Sequence, residues 1–223
     1  MATPSVILAS TSPRRQELFA LLQIPFEVVA PQVSEAFSRH VAPVDQVQQL
    51  ALEKAQSVAA RFPAHPVLGG DTLLELDGEM IGKPQNAQEA TVILRRLQGR
   101  VHRVHTGIAL VHHHAHFSRT AVDTAIVQLK PLSDKEIARY VATELWRDKA
   151  GGYAIQNGDW LIEWIEGDYL TIVGFPLRLV VCLLRSCGIP LPHPLSHILK
   201  KIPYSNQSRF QPHRENDFRQ DSS

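Results

Sequence analysis

Two short polar segments interrupt apolar runs of this sequence and contain residue types that bind anions. The first, STSPRR, follows an apolar strand-like run near the N-terminus. Ser12 and Pro13 mark the start of a helix. Arg14 and Arg15 therefore fall in its first turn, where the helix dipole disfavours cations. A bound phosphate would offset this effect, because a helix N-terminus and guanidinium groups both attract anions. The alternative is a pair of exposed arginines that contact Glu17 or a nearby acidic residue.

The second polar segment, GGDT at residues 69–72, lies inside an otherwise apolar strand-like run. Glycine within a strand marks a bulge or the close approach of a ligand or of another backbone segment. An aspartate is costly to bury there unless it contacts a metal, a water or a cation. We interpret the segment as a site centred on Asp71. The alternative is a turn between two short strands.

Three further charged residues and one loop become candidates only in combination with these segments. Lys54 lies on a predicted helix, Lys83 follows a predicted hairpin, and Glu35 lies in the segment QVSEAF. Each of them alone is typical of a solvated surface. Residues 148–157 form a glycine-rich loop that could place backbone donors and the amide of Gln156 against a flat ligand.

Four histidines between residues 112 and 116 suggest a metal site but do not have the spacing of metal ligands. They are contiguous, lie between two predicted strands, and have no cysteine nearby. We therefore interpret this segment as an exposed turn.

The elements that must position these residues alternate between helix and strand patterns. Helices are predicted to begin near Ser12, Asp45, Asn86, Ser133 and Phe175. Strands are predicted at residues 26–31, 101–111, 120–129 and 160–169, and a hairpin at 66–84 with Asp77-Gly78 in its turn. Hairpins mixed with helices predict an α/β fold with a mixed sheet, rather than a uniform repeat of strand, helix and strand.

Composition excludes several classes of protein. The 223 residues are 44% hydrophobic and 20% charged, with a net charge of +1, so no overall bias towards nucleic acid or an anionic membrane is expected. We find no run of about 20 apolar residues and no convincing secretion signal. Cys182 and Cys187 are poorly placed to bridge, which favours a reducing compartment. We expect a cytoplasmic protein without a membrane or nucleic-acid partner.

The composition changes after Gly188. The remainder is rich in proline, serine and polar residues without lasting periodicity. We therefore expect one domain at residues 1–189 and a polar, proline-rich, disordered tail at residues 190–223.

Seven segments occur in an order that resembles the Maf family of nucleoside triphosphate pyrophosphatases, also called septum-formation proteins. They are LASTSPRRQELF, SEAF, ALEKAQ, GGDTLLELDGEMIGKP, VHTGIAL, DKAGGYAIQ and EGDYLTIVGFPL, between residue 5 and about residue 188. The resemblance implies an elongated mixed β-sheet with flanking helices and two lobes around a nucleotide cleft, similar to the ITPase fold, and a homodimer.

The resemblance also implies a reaction: hydrolysis of a nucleoside triphosphate to the monophosphate and pyrophosphate, with a divalent cation, Mg²⁺ or Mn²⁺. Asp71 matches the aspartate taken as the general base that activates water. Glu35 matches an acidic residue that, with Asp71, could hold the metal. The residues that match phosphate contacts are Ser10, Arg15, Lys54 and Lys83.

Three positions divide this family by substrate, and here they are Arg14, Thr72 and Gln156. This set resembles the type that acts on dTTP and UTP, whereas the type that acts on 7-methyl-GTP has tryptophan, glutamine and glutamate there. A glutamine amide both donates and accepts hydrogen bonds, which suits the edge of uracil or thymine. Asn157 stands where the family usually has glycine. Two alternatives are a nucleotide-binding regulator of cell division with little turnover and an enzyme that acts on 7-methyl-GTP.

Overall fold

The apolar runs of the sequence form one mixed sheet. The computed structural model describes residues 6–34, 41–157 and 159–210. The strands are β1 (Val6–Ala9), β2 (Phe26–Val28), β3 (Val67–Leu76), β4 (Glu79–Ile81), β5 (Val101–His112), β6 (Phe117–Leu129) and β7 (Ile162–Glu166). Across the described residues the order is β2-β1-β3-β5-β6-β7, with β4 paired to β3. Strand β1 is parallel to β2 and β3, and the other pairs are antiparallel, which confirms the predicted mixed α/β sheet.

Two hairpins follow the turn signals in the sequence. Asp77 and Gly78 connect β3 to β4 with φ angles of 54° and 80°, the positive values that a tight two-residue hairpin turn requires. The histidine segment is the tip between β5 and β6, and His113, His114 and His116 are exposed, as predicted. Among the described residues there is no group of three or more His, Cys, Asp or Glu side chains that could hold a metal.

The helices pack on this sheet. They are α1 (Pro13–Ala20), α2 (Pro43–Ala59), α3 (Ala87–Leu97), α4 (Asp134–Ala142), α5 (Tyr169–Val173), α6 (Leu177–Ser186) and α7 (Leu195–Leu199). Asn86 and Ser133 cap α3 and α4 as predicted. The predicted start of α2 at Asp45 is wrong by two residues, because Pro43, whose fixed φ suits a first helical position, begins the helix. No helix within the described ranges is both long and apolar enough to cross a membrane.

The two faces of the sheet are covered by different helices. Successive side chains of a strand point to opposite faces. On one face, Ile7 and Val67 pack with Ala51, Ala55 and other small residues of α2. On the other face, their strand neighbours join the larger core, which includes residues of α1, α3, α4, α5 and α6. Helix α2 therefore packs on one face, opposite the side that carries α1.

Helix α2 lies unusually close to strand β3 because position 69 is glycine. A Cβ atom added to Gly69 would lie 2.6 Å from the carbonyl oxygen of Ala51 and 2.7 Å from the amide nitrogen of Ala55. The sequence left open whether a ligand or another backbone approaches here, and the structure shows that it is the backbone of α2. Lys54, between these two alanines in the chain, is thereby held against β3.

Residues 190–210 fold onto the domain, so the expectation of a disordered tail is corrected for this part of the chain. Helix α7 and a short 3-10 helix, Ser205–Phe210, pack on the domain. Ile198 is 1% exposed and Phe210 is 9% exposed, so both join the main core. The polar composition obscured these anchors, because a few buried side chains suffice to hold a short segment and leave no periodic pattern. Residues 211–223 lie outside the described residues.

We predict that Gly69→Ala destabilises the fold, because the new methyl group meets helix backbone that cannot rotate away. The free energy of unfolding, measured by urea denaturation, should fall by about 1–3 kcal/mol. Gly70→Ala is the matched control and should lose less stability. The atom nearest to its new Cβ atom, at 3.1 Å, belongs to the flexible end of the Ile108 side chain. Equal stability of Gly69→Ala and the wild type would contradict the close approach of α2.

Candidate active site

All the candidate residues that the structure describes line one cleft of about 300 Å³. They are Ser10, Arg14, Arg15, Lys54, Asp71, Thr72, Lys83 and Gln156. They come from the β1–α1 connection, α1, α2, β3, the segment after β4, and the loop at residues 148–157. Glu35 lies outside the described residues. The volume is at the lower end of the range for small-molecule sites.

The centre of the cleft holds a buried ion pair. Lys54 Nζ donates a hydrogen bond of 2.6 Å to Asp71 Oδ1, and the two residues are 5% and 6% exposed. Removing two charges from water is costly, and only good hydrogen-bond geometry offsets that cost. The Oδ2 atom of Asp71 makes no hydrogen bond within the part of the chain that the structure describes. The pair therefore presents a fixed carboxylate to the cleft.

The GGDT segment serves both faces of the sheet, because its side chains alternate. Position 69 faces α2, and Asp71 on the same face meets Lys54. Position 70 faces the opposite side, where a Cβ atom would lie 3.5 Å from Arg15 Nε. Thr72 on that side meets the Arg15 guanidinium at 3.1 Å. One four-residue segment thus brings a lysine from one face and an arginine from the other into one cleft.

Arg15 connects three separate segments of the chain. Its Nη1 donates to the carbonyl oxygen of Gly70 at 2.7 Å, and its Nε donates to the carbonyl oxygen of Gly174 at 2.9 Å. Its Nη2 donates to Thr72 Oγ1. These three acceptors are uncharged, and they fix the direction of the guanidinium group. The sequence indicated a phosphate contact for Arg15 but gave no sign of this structural role.

A chain of hydroxyl groups continues from Arg15. Thr106 Oγ1 donates to the carbonyl oxygen of Thr171 at 2.8 Å, so its single proton is used there. In the 3.0 Å contact between Thr72 and Thr106, Thr72 is therefore the donor. The single proton of the Thr72 hydroxyl is thus used within the protein, and one of its two acceptor lone pairs binds Arg15. Thr72 orients Arg15, and its predicted part in base selectivity stays a prediction.

Lys149 is a cation of the cleft beside Arg14 that the sequence analysis missed. Lys149 lines the cleft, and its pKa is lowered to about 8 by burial, with a smaller contribution in the same direction from Arg14. Burial also lowers the pKa of Arg14, whose Nη2 lies 3.5 Å from the carbonyl oxygen of Asp148. The one sequence signal for Lys149 was its position just before the two glycines of the loop.

Part of the backbone of the glycine-rich loop is hydrogen-bonded to the rest of the protein. The amide of Gly151 donates to the carbonyl oxygen of Gly82 at 3.1 Å, and that of Ala154 donates to the Tyr140 hydroxyl at 2.8 Å. These two amides are therefore already used within the protein. Asn157 does not have a positive φ, so its substitution for the glycine usual in the resembling family introduces no left-handed strain.

Tyr153 and His102 form a second buried pair behind this loop, which the sequence did not reveal. His102 Nε2 and the Tyr153 hydroxyl are 2.7 Å apart, and Tyr153 also lines the cleft. Burial lowers the pKa of His102 to about 4 and raises that of Tyr153. The histidine is therefore neutral at physiological pH, and the pair supports the cleft wall without adding charge.

The described lining of the cleft has an excess of positive charge, although the whole chain is nearly neutral. Its lining includes the cations Arg14, Arg15, Lys54, Lys83 and Lys149 and the carboxylates Asp71 and Asp148. Such a surface attracts a polyanion and neutralises charge that develops on it. A carboxylate fixed among these cations can accept a proton from water. The arrangement is suited to displacement at phosphorus.

The donors in the cleft fit a hard divalent cation that is held partly by its substrate. Mg²⁺ is commonly bound through one or two carboxylates together with phosphate oxygens and water. Asp71 would supply one such carboxylate.

Comparisons with known proteins find similar sequences over most of this chain. The family model described as Maf-like protein matches residues 5–187. A dTTP/UTP pyrophosphatase of Salinibacter ruber is 45% identical over 183 residues, which are 81% of this chain and 90% of that protein. Another of Bacillus velezensis is 42% identical over 188 residues, 84% of this chain and 98% of that protein. The solved structure of the Staphylococcus aureus Ham1 protein matches with a TM-score of 0.41 and 16% identity over 56% of this chain and 71% of that chain.

We predict that Lys149→Met increases stability at pH 7. The folded-state pKa of about 8 is below the ordinary value of 10.5, so the penalty for burying the charge is fully present below pH 8. Between these values the unfolded chain holds more protons, and the free energy of unfolding rises with pH. The variant should lack this rise in urea denaturation between pH 7 and 10.5.

Lys135→Met, which removes an exposed lysine of α4, is the matched control and should retain the rise. An unchanged pH profile in Lys149→Met would contradict the burial of this ammonium group.

Proposed function

The chain belongs to the Maf-like protein family, and on that premise we propose that it is a pyrophosphatase that hydrolyses dTTP and UTP to the monophosphate and pyrophosphate. The family match spans most of the chain, and relatives at 42–45% identity are named dTTP/UTP pyrophosphatases. The observation that carries the proposal is the Lys54–Asp71 ion pair, buried inside a cleft lined by further cations.

In the proposed reaction, water attacks the α-phosphorus of the nucleotide and pyrophosphate leaves. Asp71 accepts the proton of the attacking water through the oxygen that does not bind Lys54. Lys54 fixes the direction of the carboxylate, because its 2.6 Å hydrogen bond holds the other oxygen. Phosphoryl transfer depends on position and charge neutralisation more than on covalent assistance, and this pair supplies position.

Three cations and one hydroxyl group are proposed to bind the triphosphate. Arg15, Lys54 and Lys83 line the cleft together with Ser10. The guanidinium of Arg15 is held by three hydrogen bonds before any ligand arrives, so it need not reorganise as charge develops on the pyrophosphate. Ser10 adds a hydroxyl whose oxygen already accepts a 3.2 Å hydrogen bond from the amide of Ser12.

Arg14 and Gln156 are proposed to select the base. Gln156 lies on the loop that borders the cleft and carries an amide that both donates and accepts. Arg14 lies in the same lining, and its buried guanidinium keeps its charge because arginine does not lose its proton in proteins. Thr72 is proposed to contribute by orienting Arg15, to which its hydroxyl is hydrogen-bonded.

We propose a divalent cation, Mg²⁺ or Mn²⁺, held by Asp71 and Glu35 together with phosphate oxygens. Such an ion supplies charge neutralisation and lowers the pKa of its bound water. We further propose a homodimer in the cytoplasm with no nucleic-acid or membrane partner. The free thiols of Cys182 and Cys187 are compatible with a reducing compartment.

The two alternatives are less favoured. A nucleotide-binding regulator with little turnover does not require a buried, precisely hydrogen-bonded carboxylate next to bound phosphates. An enzyme for 7-methyl-GTP is expected to carry tryptophan, glutamine and glutamate at positions 14, 72 and 156, and none of them is present.

We predict selective pyrophosphate release from dTTP and UTP in a panel that also contains CTP, GTP and 7-methyl-GTP. The initial rate of pyrophosphate release from each nucleotide is measured with Mg²⁺ or Mn²⁺. Selective turnover of another base would retain the mechanism and contradict the proposed roles of Arg14 and Gln156. Folded protein that binds nucleotide without releasing pyrophosphate would favour the alternative function, a nucleotide-binding regulator with little turnover.

We predict that Asp71→Asn abolishes turnover and retains nucleotide binding. The amide oxygen can still accept the hydrogen bond from Lys54, so the fold persists, but the amide cannot take a proton from water. Initial rates measure the loss, and isothermal titration calorimetry with UTP measures binding.

Asp134→Asn replaces an exposed carboxylate at the start of α4 and is the matched control, with turnover expected at the wild-type level. Hydrolysis by Asp71→Asn at an undiminished rate would exclude Asp71 as the base.

A further inference from the structure

The segment at residues 188–210, here called the C-terminal segment, lies outside the family match, which ends at residue 187. It is nevertheless attached to the domain through Tyr169, the first residue of α5. The ring of Phe210 stacks on Tyr169 with centroids 6.3 Å apart, and the ring of Tyr204 lies at 6.1 Å on a tilted plane. Together with Ile198, which is buried in the main core, these contacts fix the position of the segment.

Asn206 of this segment holds the main chain beside Gln156. Its Nδ2 donates to the carbonyl oxygen of Ile155 at 2.7 Å and lies 3.5 Å from that of Gln156. Its Oδ1 accepts a 2.7 Å hydrogen bond from the Tyr169 hydroxyl, which fixes the orientation of the amide. Asn206 therefore links the Gln156 turn to α5 through both ends of one side chain.

Tyr204 approaches the same region from the other side. Its hydroxyl donates to Glu17 Oε2 at 2.9 Å, which ties the segment to α1. Burial and Glu17 raise the pKa of Tyr204, whereas the nearby side chains of Gln156 and Arg14 act in the opposite direction. Tyr204 is thus a neighbour of both residues proposed to contact the base.

We propose that the C-terminal segment completes the nucleobase side of the cleft, with Asn206 and Tyr204 as positioning residues for Gln156. Neither residue needs to touch the nucleotide. They limit the conformations of the Gln156 turn, so that its amide meets the base edge without first being ordered, and a preordered group binds at lower cost. This inference rests on the proposed function and adds to it a determinant of base selectivity outside the family match.

Two conservative variants test this proposal. Asn206→Asp retains the acceptor for Tyr169 and removes the donor to Ile155. Tyr204→Phe retains the ring contact with Tyr169 and removes the hydroxyl group. Loss of one hydrogen bond corresponds to about a 3- to 10-fold change. In each variant, KM for the preferred nucleotide should rise by about this factor while kcat is retained, because the Lys54–Asp71 pair is untouched.

The decisive quantity is the ratio of kcat/KM for the preferred nucleotide to kcat/KM for CTP and GTP. We expect this ratio to fall in both variants. Val111→Ala is the control, because it truncates a residue buried in the α2 face of the sheet and lowers the Tm without touching the segment. Variants of Asn206 and Tyr204 that lower the Tm but keep the wild-type ratio would overturn the proposal and leave the proposed function intact.

Failure of the proposed function has a different signature. Wild-type protein that releases no pyrophosphate from any nucleotide would contradict the proposed function directly. The same variants are then compared by Kd for UTP and GTP in calorimetry. A changed ratio of Kd values would support the positioning role, and an unchanged ratio would overturn it.

Discussion

The hydrogen bond between Lys54 and Asp71 is the contact on which the cleft depends. Both groups are charged and almost fully removed from water, so each would be strongly destabilising without the other. The pair exists only because α2 lies close enough to β3, and that approach requires the absence of a side chain at Gly69. Packing between two regular elements therefore determines where the carboxylate stands. A site built on rigid elements in this way keeps its geometry better than one built on loops.

Strand β3 places side chains of the cleft on both faces of the sheet, because successive side chains of a strand point to opposite faces. Asp71 meets a lysine from α2, and Thr72 meets an arginine from α1. The two helices never need to contact each other for their cations to converge. The other side of the cleft comes from the loop at residues 148–157, whose main chain Asn206 of the C-terminal segment contacts. Asp71 on β3 and Gln156 on this loop are thus carried by different parts of the fold.

The strand and helix order was predictable because it depends on local periodicity and on turn chemistry. The Asp77-Gly78 turn and the caps at Asn86 and Ser133 show this. The convergence of the candidates in one cleft was predictable only from the family resemblance, since Lys54 and Lys83 are unremarkable alone. Contacts between distant segments gave no sequence signal. The three acceptors of Arg15 and the anchoring of Phe210 belong to this class, because each depends on where the remaining chain folds.

The hydrogen bonds of Arg15 have a consequence for motion. One planar guanidinium joins α1, β3 and the end of α5, and a hydroxyl relay carries the connection through Thr106 to the backbone of Thr171. Rotation of any one of these segments would break contacts with the other two. This wall of the cleft therefore behaves as a cross-linked unit, and removal of the Arg15 guanidinium would release contacts of α1, β3 and the end of α5 together.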